Sequence, residues 1–200
     1  MGHADKRVVI ATGNPGKLVE LDSLLEGLGM EFVAQSELGV EGAEETGHTF
    51  VDNALLKARH AAAATGLPAI ADDSGIVVDA LDGRPGVYSA RYAGVDASDA
   101  DNVDKLLEEL AGIDDRAAHF HCAAVFVRPD SDDTVVAEAS WHGVITTERR
   151  GSGGFGYDPV FFLPEYGCTS AELSRERKNE LSHRGQAFRA LRALLATGPG

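Results

Sequence analysis

Cysteine, basic charge and long apolar runs are all scarce in this chain, and each shortage closes a class of function. Two cysteines, Cys122 and Cys168, occur in 200 residues. A secreted domain stapled by disulfides uses more, so two free thiols in a reducing compartment are expected. No apolar run reaches the ~18 residues that mark a membrane span. The opening segment, Met1 to Lys6, lacks the apolar core of a signal peptide, and Lys6 stands where a myristoylation signal has Ser or Thr. Lys and Arg number 18 against 32 Asp and Glu, a formal net charge of −14. Gripping a nucleic-acid polymer takes a basic face that neutralises phosphates, and an anionic membrane surface asks for the same. Neither is expected as a partner. A small phosphorylated ligand stays open, provided a local basic cluster, a metal or both receive it.

The rest of the composition is that of a globular protein. At 44% hydrophobic and 25% charged, the chain is rich enough in apolar residues to bury a core within one domain over residues 1–200. Arg7 to Thr12 reads as a short buried strand. Asn14-Pro15 predicts a helix start, with Asn14 at the N-cap and Pro15 at the first helical position. Leu18, Leu21, Leu25 and Leu28 continue at helical spacing to a stop at Gly29. Glu31 to Ala34 reads as a second strand. Thr49 to Asp52 fits a capping-box variant that opens a helix to about Thr65, closed by Gly66. Pro68 to Asp72 and Ile76 to Asp79 read as extended, and Asn102 to Leu110 as helical. His119 to Arg128 and Val135 to Thr146 read as paired strands around a reversal at Pro129 to Asp133. A glycine-rich loop, Gly151 to Gly156, precedes a strand over Tyr157 to Phe162, and Gln186 to Leu195 closes the chain as an amphipathic helix. Early alternation of strands and helices, followed by paired strands, predicts the α/β class with a mixed sheet.

Five segments can carry chemistry. In Thr12-Gly13-Asn14-Pro15-Gly16-Lys17 a strand end runs through a turn into a helix, where backbone N–H groups and the helix dipole favour an anion and Lys17 adds a full charge. It is no Walker A loop, because Ala11 and Leu18 stand where that motif has Gly and Ser or Thr. A well-capped turn accounts for the pattern equally well. Ala71-Asp72-Asp73-Ser74-Gly75 places two carboxylates at the end of an apolar strand, where α/β proteins bind ligands. Carboxylate oxygens suit Mg²⁺, and strand alternation sends only one of the two into a site. The plainer account is a turn capped by Asp. Glu41, Glu44 and Glu45 form an acidic patch, most simply a solvated loop. Gly151-Ser152-Gly153-Gly154-Phe155-Gly156-Tyr157-Asp158 contains a literal G-x-G-x-x-G but leads into a strand, which excludes the dinucleotide fingerprint. Phe155 or Tyr157 offers a ring for a base; a hairpin loop with core aromatics is the alternative. Lys178 and Ser182-His183-Arg184-Gly185 gather three potential cations before the last helix, able to meet a phosphate or a base carbonyl, or simply to be solvated. His119 and His121 share a strand face, but Cys122 points away, which argues against a zinc site.

The order of these motifs is more specific than any one of them. Thr12-Gly13-Asn14-x-Gly16-Lys17, Glu44-Glu45-Thr46-Gly47, Asn53-Ala54-x-x-Lys57-Ala58, Ala71-Asp72-Asp73-Ser74-Gly75, Pro85-Gly86-Val87-Tyr88-Ser89-Ala90-Arg91-Tyr92, Gly154-Phe155-Gly156-Tyr157-Asp158-Pro159 and Ser182-His183-Arg184-Gly185 occur in sequence. Together they resemble the inosine triphosphate pyrophosphatase family, in particular its bacterial dITP/XTP pyrophosphatases, from about Arg7 to the final helix. The resemblance implies an elongated mixed β-sheet with flanking helices and two lobes around a central active-site cleft. It also implies a cytoplasmic, Mg²⁺-dependent homodimer that hydrolyses deaminated purine nucleoside triphosphates to monophosphate and pyrophosphate. Carried over by position, Thr12, Gly13, Asn14, Pro15, Gly16 and Lys17 would hold the triphosphate, with Lys57 a further phosphate contact. Glu44 and Asp73 would be the metal ligands and Asp73 also the catalytic proton acceptor. Ser74, Phe155, Gly156, Tyr157, Asp158, Lys178, His183 and Arg184 would contact the nucleotide. The rival readings are a pyrophosphatase for other modified bases and a nucleotide-binding sensor without catalysis.

Overall fold

The computed structural model describes residues 6–26 and 29–197. Met1 to Asp5 and Leu28, both used in reading the sequence, lie outside the described residues. Strand β1 (Arg7–Ile10) pairs in parallel with β2 (Glu31–Ala34) and β3 (Ala69–Val78). Between β1 and β2 runs α1 (Pro15–Leu24), capped as its sequence predicts: the Asn14 side chain accepts hydrogen bonds from the N–H groups of Gly16 and Lys17 at 2.8 and 3.2 Å. Helix α2 (Phe50–Thr65) starts where the Thr49 hydroxyl accepts from the Asp52 N–H at 3.1 Å. It ends at Gly66, whose left-handed φ of 69° a side chain would resist. Then follow α3 (Asp99–Glu109), β4 (Ala117–Val127), β5 (Thr134–Ile145), β6 (Phe161–Leu163), β7 (Cys168–Thr169), α4 (Arg175–Leu181) and α5 (His183–Thr197). Among the described residues the strands hydrogen-bond in the order β2-β1-β3-β4-β5-β6-β7, with β5–β6 and β6–β7 antiparallel. The sheet is mixed, as expected.

The structure departs from the sequence reading at several elements. Helix α1 ends at Leu24, with Leu25 as its C-cap, short of the expected stop at Gly29. The two extended stretches around Asp72 are one ten-residue strand, β3. Tyr157 to Val160 is not strand: Asp158–Val160 makes a 3₁₀ turn, because the Asp158 carboxylate accepts the Phe155 N–H at 2.9 Å and folds the chain back on itself. Helix α4 went unseen because its sequence RERKNEL carries too few apolar residues for a helical stripe.

The chain divides into two compact units, one comprising residues 1–73, 122–139 and 186–200, the other 74–121 and 140–185. In the first, strand alternation serves two helical layers. Val9, Ala11, Ala69, Ala71, Ala123 and Val125 face α2, which meets them with Ala54, Ala58, Ala61 and Ala62. Alanines there let the helix lie close to the strands. Val8, Ile10, Ile70, Cys122 and Ala124 face the other way, against Leu21 and Leu25 of α1 and Phe188 and Leu191 of α5. In the second unit Ile76, Val78, Phe120, Trp141 and Phe161 pack against Val103, Leu106 and Leu110 of α3. Among the described residues no helix is long and apolar enough to cross a membrane.

Candidate active site

The alternation of β3 separates its two aspartates. Ile70 belongs to the layer of α1 and α5, Ala71 to that of α2, and Asp72 and Asp73 continue the alternation. Asp72 is fully buried, and its Oδ2 lies 3.0 Å from the Lys17 Nζ of α1. Asp73, 5% exposed, engages α2: its Oδ1 is 3.0 Å from Lys57 Nζ, and its Oδ2 accepts from Asn53 Nδ2 at 3.3 Å. Asn53 and Lys57 stand one helical turn apart, so both reach the same carboxylate.

The acidic loop before α2 is tied to this cluster. Lys57 Nζ also donates to Glu45 Oε1 at 2.7 Å, and Asn53 Oδ1 accepts the Gly47 N–H at 2.8 Å. A Cβ on Gly47 would lie 2.6 Å from Asp52 Cβ and 2.7 Å from Asn53 Oδ1, so the loop can dock only with glycine there. Glu45 is thus seated on Lys57, while Glu44 is exposed beside it. Burial pushes the Asp73 carboxyl above its ordinary range, against the pull of Lys57 and Lys17. At Lys57 burial opposes the charge, yet Asp73, Glu45 and Asp72 outweigh it and the pKa stands raised. The ammonium therefore stays charged.

A second constellation lies in the second unit. The Asp158 carboxylate accepts from Lys178 Nζ at 2.6 Å, the Ser170 hydroxyl at 2.8 Å and the Phe155 N–H at 2.9 Å. A Cβ at Gly154 would collide with that carboxylate, so the glycine-rich loop owes its path to close packing rather than slackness. Lys178 Nζ stands 4.8 Å and the Arg184 guanidinium 5.7 Å from the centroid of the half-buried Phe155 ring. Arg184, 2% exposed, donates to Ser74 Oγ at 2.7 Å. His183 stacks on Phe120 at 4.7 Å between centroids and lies 6.4 Å from Trp141. Tyr157 is buried in the core, its hydroxyl donating to the Ser89 carbonyl at 2.8 Å. Of the two rings proposed for a base, Phe155 is the one beside the cations.

The model of the Ham1 family matches residues 8–194. The chain belongs to the Ham1 family. A relative from Pectobacterium atrosepticum named dITP/XTP pyrophosphatase is 62% identical over 189 residues, covering 93% of this chain and 96% of its own length. One of the same name from Shigella flexneri is 59% identical over 196 residues, covering 96% and 100%. The solved structure of a HAM1 protein from Coxiella burnetii superposes with a TM-score of 0.89 at 46% identity, over 96% of this chain and 99% of that one.

In this Ham1 chain the structure brings together Lys17, Lys57 and both aspartates in one unit, and Ser74, Phe155, Asp158, Lys178 and Arg184 in the other. Thr12 is buried and its Oγ1 accepts the Asn14 N–H at 3.2 Å, a brace for the turn through Gly13 to Gly16. Two contributors went unassigned in the sequence reading. Asn53 had a signal, its four-residue spacing from Lys57; Ser170 had none, twelve residues from the carboxylate it serves. His119 and His121 do share a face: the His119 ring lies 5.2 Å from that of His142, and His121 Nδ1 is 3.0 Å from Ser140 Oγ. Among the described residues no group of three or more His, Cys, Asp and Glu is arranged to hold a metal ion.

Proposed function

We propose that this protein hydrolyses deaminated purine nucleoside triphosphates, dITP, ITP and XTP among them, at the bridge between the α- and β-phosphates, releasing monophosphate and pyrophosphate. The observation that carries the reaction type is the pair of adjacent aspartates within β3, each bearing a lysine from a different helix. The name shared by the relatives at 62% and 59% identity supports the substrate. An acidic chain needs local cations to receive a triphosphate, and Lys17 and Lys57 are cations fixed in place.

The residues around Asp73 have the chemistry of a divalent-cation site, though among the described residues fewer than three carboxylates are gathered for one ion. They offer hard carboxylate oxygens, and a positive group already sits there, the Lys57 ammonium between Asp73 and Glu45. Glu44 and Asp73 would hold Mg²⁺, with Glu45 adjacent. When bound, the ion supplies charge neutralisation and polarises phosphate oxygens. Lys17 and Lys57 bind phosphate oxygens and offset charge on the departing pyrophosphate. Asp73, its pKa raised by burial, takes a proton from the attacking water as the water oxygen bonds to phosphorus and the bridging oxygen leaves. Phe155 offers a ring for the purine. Arg184 and His183 donate to the carbonyl at C6, where adenine carries an amino group and leaves those donors unpaired. Ser74 accepts from Arg184, and Asp158 holds Lys178 beside the Phe155 ring. The family resemblance further supports a homodimer in the cytoplasm.

Pyrophosphate release from equal dITP, XTP, dATP and dGTP, with Mg²⁺ and with EDTA, tests the reading. Fast release from dITP and XTP, abolished by EDTA, is expected. Equal release from all four would remove the base-recognition part, and release from none would leave a binding protein.

A further inference from the structure

We infer that Asp72 is a positioning residue whose buried carboxylate anchors the Lys17 ammonium for the phosphate chain, and that it is not a metal ligand. The inference rests on the phosphate-binding role proposed for Lys17. A fully buried carboxylate is costly unless it is paired, and here the pair is made with a residue of the phosphate-binding turn. Lys17 Nζ lies 3.0 Å from Asp72 Oδ2 and 3.5 Å from the Asp72 carbonyl oxygen, with the lysine side chain 12% exposed. Both acceptors belong to one residue, so the ammonium is held from two directions. A lysine stem is flexible, and such a double hold keeps its charge at one place.

Strand geometry supplies the second part. Asp72 follows Ile70 toward α1, while Asp73 follows Ala71 toward α2, the helix that presents Asn53 and Lys57 and the docked acidic loop. Adjacent residues of a strand point to opposite faces, so the two carboxylates do not converge on one ion. Beside Asp72 Oδ2 stands the Cys122 Sγ at 3.9 Å, a weak thiol donor and not a hard oxygen ligand.

A double-mutant cycle on Asp72→Asn, Lys17→Met and the double variant tests this, read by kcat and KM for dITP over a Mg²⁺ titration and, separately, by thermal denaturation. The Asn variant keeps the shape of the aspartate, so β3 tolerates it. Asp72→Asn is expected to lower kcat/KM by about 10- to 100-fold in the wild-type background, the scale of a misplaced catalytic charge. In the Lys17→Met background it should change kcat/KM less than about twofold, since the ammonium that Asp72 anchors is gone. The Mg²⁺ concentration for half-activation should not move. Lys17→Met alone should melt lower than the double variant, because it removes the ammonium that offsets the buried charge. An equal loss in both backgrounds, a shifted Mg²⁺ requirement, or a harmless Asp72→Asn would each overturn the inference. Absence of turnover by the wild type on every triphosphate would instead defeat the proposed function. The same cycle is then read from tripolyphosphate binding by calorimetry, with coupling supporting the role of Asp72 and additivity overturning it.

Discussion

Replacing Lys178 by methionine removes a charge while keeping an unbranched stem of similar reach. Its Nζ sits 2.6 Å from Asp158 Oδ2, with side-chain exposures of 8% and 4%. Removing one partner of a buried ion pair costs about 3–5 kcal/mol, because the other charge is left without compensation. Asp158 would keep the Phe155 N–H and the Ser170 hydroxyl, which places the expected loss toward the lower end, about 3 kcal/mol. In a chain of this size each kcal/mol moves the midpoint by about 2–4 °C, so the fall should be roughly 6–12 °C. The exposed pair Arg149–Asp104 is the control: its partners are 2.9 Å apart with side-chain exposures of 39% and 69%. Solvent and salt screen such a pair, and Asp104→Asn should leave the midpoint nearly unchanged. Thermal denaturation followed by circular dichroism measures both variants, together with Lys178→Met/Asp158→Asn, which removes the stranded charge and should recover part of the loss. Equal shifts for the buried and exposed pairs, or a double variant no more stable than Lys178→Met, would refute the reasoning from burial.

Asp73→Asn should lose nearly all turnover while its circular dichroism spectrum stays native, since the amide still fits beside Asn53 and Lys57 but takes no proton; retained turnover would remove Asp73 as the base. Gly47→Ala should push the acidic loop off α2 and raise the Mg²⁺ concentration needed for half-activation; an unchanged requirement would separate that docking from metal binding. Burial, then the hydrogen bond to Glu109, raises the Tyr92 phenol to about 12. A raised pKa means the fold favours the neutral phenol, so its contribution to stability is complete below the ordinary value of about 10 and is lost as pH climbs through about 12. Tyrosinate absorbance across an alkaline titration should show a late-titrating phenol that is missing in Tyr92→Phe, and identical curves would contradict this.

Much of the fold was legible because local chemistry sufficed. Asn14-Pro15 started α1 and Thr49 started α2, Gly66 ended α2, and the apolar runs around Ile70 and Val125 became strands. The order of the motifs identified the family, because many short patterns in one sequence rarely coincide. The misreadings had local causes as well. The Tyr157–Val160 strand gave way to a turn built by the Asp158 side chain, whose partners Lys178 and Ser170 lie 20 and 12 residues further along the chain.

The sequence by itself determined most of the element types, the family and the residue kinds available for chemistry, since these follow from propensity, spacing and charge along the chain. Only the tertiary structure decided who meets whom. It gave Asp72 to Lys17 and Asp73 to Lys57 and Asn53, seated Glu45 rather than Glu44 on Lys57, and sent Tyr157 into the core while leaving Phe155 beside the cations. Such pairings depend on strand alternation combined with the register of helices laid on each face, and on burial that makes an unpaired charge too costly to keep. Neither is written in any single segment of the chain.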